Sequence, residues 1–122
     1  MGYLPIPKKA DAPSGDGSEL RKAVRKKVLV TGKIIWDEGA HVLDCSILDM
    51  SATGARVAIK THQTVPETVF LLDMANRTAH EAAVMSQRAD GFGLKFLNSQ
   101  KLADVTAPEL RYLKRIYLAA AQ

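Results

Sequence analysis

Cysteine occurs once in this chain, at Cys45, so no internal disulfide can form and the cysteine content gives no support to secretion. Long apolar runs are missing too: no stretch approaches the length a helix needs to span a bilayer, which argues against membrane insertion. Lys8 and Lys9 are followed by Pro, Asp, Ser and Gly where a secretory signal would place an apolar segment. The chain therefore reads as soluble and cytoplasmic. Aromatic residues are few: three Phe, three Tyr and one Trp. Phe70, Phe92, Phe96, Tyr112 and Tyr117 mostly fall on faces patterned as core, whereas single-strand nucleic acid binders stack bases on several exposed rings. His41, His62 and His80 are scattered without the Cys, Asp or Glu spacing of a metal site. Paired carboxylates, a catalytic triad and a phosphate loop are all lacking, and Ser51 has no His or Lys partner at an obvious spacing. An enzyme is the reading with least support.

What is present suits one small domain. The chain has 122 residues, of which 47% are hydrophobic and 25% charged, enough to bury a core without disulfides or metals. The formal charge of +4 says little alone, but its distribution is uneven. Arg21, Lys22, Arg25, Lys26 and Lys27 place five cations within seven residues. Such a cluster points to an anionic partner: a nucleotide, nucleic acid, a membrane surface or an acidic protein.

Residues 1–18 hold three prolines and three glycines with few large apolar groups, and read as a flexible tail. Residues 19–122 are then the domain. From Val28 onward, runs rich in β-branched residues alternate with turn signals. The pattern predicts strands at 28–36, 41–50, 55–60, 68–74, 78–88 and 92–97, with 49–54 (DMSATG) as a polar turn. Leu43, Cys45 and Ile47 share one face of the second strand, as do Phe92, Leu94 and Phe96 of the last. Six short, evenly spaced strands predict an all-β fold, a small six-stranded antiparallel barrel. Thr106 and Glu109 have capping-box spacing, and Leu110, Leu113, Ile116 and Tyr117 recur at helical intervals. A C-terminal amphipathic helix over 107–120 is expected to dock on the barrel.

Two short motifs carry the chemistry. Arg21-Lys-Ala-Val-Arg25 sets two arginines four apart on the arm entering the domain, and Asp49-Met-Ser51-Ala-Thr-Gly54 lies at a strand-to-strand turn. Arginine offers a planar fork that fits phosphate oxygens or the N7/O6 edge of guanine. An Asp can accept from guanine N1–H and N2–H2, and Ser51 adds a compact donor and acceptor. Gly54 permits a tight turn and close approach of a ligand. Arg56, on the polar face of the following strand, is a further candidate phosphate contact, though an exposed strand arginine is the better account of it. Trp36 suits packing at the barrel edge better than a stacking platform.

RxxxR followed by [D/N]xSxxG, ahead of a barrel with a C-terminal helix, resembles the PilZ domain family. The resemblance covers residues 19–118, and GFGLKF at 91–96 is similar to the family's closing strand. It implies a receptor for the bacterial second messenger cyclic di-GMP, with no other cofactor, no metal and no catalytic activity. The ligand-binding residues it carries over are Arg21, Arg25, Asp49, Ser51 and Gly54, and Lys22 and Arg56 beside them complete the expected ligand-binding set. It further implies that ligand binding orders the arm and presents a surface to a downstream protein. Two alternatives stay open: a basic barrel binding RNA or DNA through the arm, disfavoured by the few exposed aromatics, and a PilZ-like protein adaptor that does not bind the nucleotide.

Overall fold

The computed structural model describes residues 26–120. The 1–18 tail and the arginine arm lie outside them. Six strands form: β1 (Lys26–Trp36), β2 (His41–Met50), β3 (Gly54–Ala58), β4 (Thr68–Asp73), β5 (Thr78–Arg88) and β6 (Gly91–Lys101). They close into a ring in the order β1-β2-β3-β6-β5-β4, every neighbour antiparallel, with β1 and β4 sealing it through Gly32↔Asp73 to Ile35↔Phe70. Closure leaves no edge strand among the described residues.

Alternation fills the interior. Ile34, Cys45, Ile47, Ala55, Val57, Leu71, Ala82, Phe92 and Leu94 point inward and are buried, each large apolar side chain contributing about 1.5–3 kcal/mol. The Cys45 thiol is pushed up to about 12, chiefly by burial, so it behaves as a small hydrophobe. Two polar residues also sit inside one end of the ring. Asp73 accepts hydrogen bonds from the Asn76 amide (3.0 Å) and its side-chain nitrogen (2.8 Å), an Asx turn that shapes the β4–β5 hairpin. His80 stacks on Phe96 with centroids 4.0 Å apart, and its Nδ1 bonds Ser99 Oγ at 2.7 Å.

A second apolar cluster lies outside the barrel. Ile35, Leu72 and Ala79 face outward from β1, β4 and β5, with Phe70 beside them, and α1 (Arg111–Ala120) covers them with Leu113, Tyr112, Ile116 and Tyr117. Leu113 is completely buried, and Tyr112 meets Phe70 edge-on at 6.5 Å.

Beyond shifts of one or two residues at the ends of β1, β3 and β4, the chain departs from the sequence expectation in three places. The polar turn shrinks from 49–54 to residues 51–53, because Asp49 and Met50 continue β2 and Gly54 begins β3. The last strand runs beyond residue 97 to Lys101, paired with β5 throughout. The capping box at Thr106 does not form: Pro108 keeps Ala107 extended (φ −62°, ψ 127°), a 3-10 turn at Pro108–Leu110 comes next, and the α-helix begins only at Arg111. No helix among the described residues is long and apolar enough to cross a membrane.

Candidate functional site

The site is set by a β-bulge. Along β2 the inward positions are Leu43, Cys45 and Ile47, and strict alternation would add Asp49 to the core. Across β3, however, Ile47 pairs with Val57 and Asp49 with Arg56, so Leu48 is an extra residue on β2. The extra residue reverses the facing of the remaining positions of the strand. Met50, paired with Ala55, packs against the core, and Asp49 turns to the outer side beside Arg56. There Arg56 Nε donates to Asp49 Oδ2 at 2.7 Å. Asp49 is only 3% exposed, whereas the Arg56 side chain is half in solvent. A shielded carboxylate thus holds a guanidinium whose remaining N–H donors are available to a ligand.

The Ser51 to Thr53 turn is fixed locally. The Ser51 amide donates to the Gly54 carbonyl at 2.8 Å, and the Thr53 amide donates to Ser51 Oγ at 3.2 Å. Gly54 serves a different purpose from the one its place in a turn suggests. Its φ lies outside the left-handed region, and a Cβ there would run into the Leu94 carbonyl of β6. The glycine is required by the close approach of β3 to β6.

The outer surface beyond Arg56 is a groove that sequence patterning did not reveal. Gly93 pairs with both Arg56 and Ser86, and a Cβ on it would come within 2.7 Å of Ser86 Oγ. Arg56 and Gly93 are shared by two adjoining hollows. One is bounded by Leu48, Ser86, Arg88, Asp90 and Gly91, the other by Thr53, Gly54, Met85 and Lys95. A floor of small residues between cations suits a flat, anionic molecule lying along the sheet. The signal was present in GFG at 91–93, but the part of β5 opposite it, Ser86 and Arg88, emerges only from the pairing register.

The structure thus brings Asp49, Ser51, Gly54 and Arg56 to one end of β2 and β3. Arg21, Lys22 and Arg25 lie outside the described residues. Trp36 is away from the groove, stacked on His41 with centroids 5.1 Å apart at the β1–β2 turn. Among the described residues no cluster of His, Cys, Asp or Glu could hold a metal ion.

The chain is thus a closed antiparallel barrel with a groove on its outer wall lined by Arg56, Arg88 and Lys95 together with Asp90. The family model of the PilZ domain matches residues 19–107, and the chain belongs to that family. A search of the curated proteins finds no match to this chain.

Proposed function

We propose that the outer face of β2, β3 and β6 binds cyclic di-GMP and that this chain is a receptor for it, relaying the signal to a partner protein. The observation that carries the reading is the Asp49–Arg56 pair at the head of the glycine-floored groove, in a chain of the PilZ domain family. Arg56 offers its free guanidinium nitrogens to a phosphate or a guanine edge. Asp49 orients that guanidinium and accepts from guanine, Ser51 bonds the ligand from the turn, and Gly54 keeps the strands close. Arg21, Lys22 and Arg25 grip the opposite side of the ligand, so the arm orders when the ligand neutralises it. The ligand supplies recognition, not chemistry, and the reading invokes no cofactor and no catalytic step. It places the chain in the cytoplasm, in keeping with its lone buried thiol.

A second reading has a specific observation behind it. Arg56 already holds Asp49, and the Ser51 hydroxyl is engaged in its own turn, as suits a PilZ-like adaptor that binds protein alone. A thermal-shift titration with cyclic di-GMP, with GTP and single-stranded RNA as controls, separates the two. At a hundredfold excess over its dissociation constant the ligand stabilises a one-site receptor by about 2.7 kcal/mol. The receptor reading expects a saturable rise with cyclic di-GMP alone, abolished in Arg25→Ala with the fold intact. No rise in the unaltered chain favours the adaptor, and unchanged affinity in Arg25→Ala removes the arm from the site.

A further inference from the structure

The helix α1 has a second face. Leu113, Ile116 and Tyr117 are spent on the barrel. Arg111, Lys114, Arg115 and Leu118 follow the i, i+3, i+4, i+7 spacing of a single stripe directed away from it. With Val105 and Thr106 they line an open cleft of about 580 Å³. Leu118 is 60% exposed. The ion pairs among the described residues are Lys33–Asp44, His41–Asp37 and Arg56–Asp49, so none of the three cations of the stripe has a carboxylate partner there.

Helix stability does not account for this arrangement. Like charges three and four residues apart repel. Arg111 stands at the N-terminal end of the helix, where the macrodipole disfavours a cation. The helix also lies beyond the residues matched by the family model, which end at 107. It covers the β1–β4 junction, diametrically across the ring from the β3–β6 groove.

We infer that the outer face of α1 docks an acidic segment of a partner protein that carries an apolar side chain. Carboxylates pair with the forks of Arg111 and Arg115 and with the Lys114 ammonium, while the apolar side chain covers Leu118. Charge complementarity and the isolated exposed leucine together select this occupant. A membrane surface fits less well, because a helix lying in a lipid interface buries a broad apolar face, and here that face is already on the barrel. The inference stands apart from the nucleotide reading, since it uses no residue of the groove.

The test is fluorescence anisotropy of the full chain with a labelled acidic octapeptide bearing a central Leu-Phe pair. Its Gln/Asn analogue, phosphatidylserine vesicles and poly-uridine are the comparison probes. The acidic peptide should bind saturably, and about tenfold more weakly to Arg111→Gln/Arg115→Gln, the loss expected when charge-assisted hydrogen bonds are removed. Leu118→Ser should weaken binding about threefold by removing the apolar contact. Binding should also fade as salt shortens the screening length from about 10 Å at 0.1 M to about 3 Å at 1 M. All the altered side chains are at the helix surface, and circular dichroism checks that each variant folds. Equal affinity for the neutral analogue or for the Gln variant overturns the inference. So does the absence of saturable peptide binding, whether or not vesicles or poly-uridine are retained in its place.

Discussion

Two outer walls of the same barrel have opposite fates. At the β1–β4 junction the outward residues are Ile35, Leu72 and Ala79, and a helix must cover them. At the β3–β6 junction they are Arg56, Gly93 and Lys95, and the wall stays open. Behind both the inward side chains are mostly apolar, with Asp73 the exception behind the covered wall. A closed barrel buries its inner face whatever the outer side chains are, which frees each outer wall to specialise. One wall contributes stability, and the other is the one proposed above for ligand recognition.

That division makes the largest effect fall on the covered wall. Leu113→Ala should lower stability by about 2–5 kcal/mol in urea denaturation, since the side chain is wholly buried. Leu118→Ala, five residues later on the exposed side, should change it by no more than about 0.5 kcal/mol. Equal losses would erase the distinction between the helix's two faces. On the open wall, Gly54→Ala should cost about 1–3 kcal/mol by forcing β3 from β6, and should weaken cyclic di-GMP binding with it. Arg56→Gln should cost about as much, roughly 1–3 kcal/mol, because it removes a charge-assisted bond from the nearly buried Asp49 carboxylate. Its affinity for cyclic di-GMP should also fall about tenfold, as for a lost charge-assisted contact. A variant that loses stability but keeps its affinity would assign Arg56 to the fold alone.

The smallest effect concerns pH and neither wall. Burial holds the His80 imidazole below its ordinary range, opposed by nearby Asp73. Below about pH 6.5 the unfolded chain takes up a proton that the folded chain resists. The His80 contribution is therefore fully present above that pH and declines as pH falls toward the folded-state value. In His80→Leu this acid-side decline should flatten, as read from thermal unfolding between about pH 5 and 7.5. An unchanged slope would place the pH dependence on other groups.

Much of this fold was legible in the chain. β2 and β5 run over the residues their alternation and flanking turns marked, and the inward faces of β2, β3 and β6 obey the same pattern. What alternation could not supply was its own interruptions. Leu48, Met85 and Leu97 are the extra residues at three bulges, and nothing in their side chains announces it. Met85 and Leu97 are accordingly exposed where a strand pattern gives no reason for an apolar residue to be. The site was half legible for the same cause. Asp49, Ser51 and Gly54 stood out as residue types, but the pairing of Asp49 with Arg56 depends on the bulge between Ile47 and Asp49. Nor does helical periodicity reveal that α1 lands on an outer wall, because its apolar stripe would suit any uncovered sheet face.

The Leu48 bulge works like a frameshift written in three dimensions. One unpaired residue changes how every later position is read, with no change to the letters themselves. Sliding it one step toward the Ser51 turn would set Leu48 opposite Arg56 and take Asp49 out of that pairing, while Met50 stayed opposite Ala55. A lineage could thus silence this groove while keeping Asp49, Ser51 and Gly54 intact. Intact motif residues therefore do not by themselves place Asp49 beside Arg56, and the position of the bulge belongs with the residues it orients.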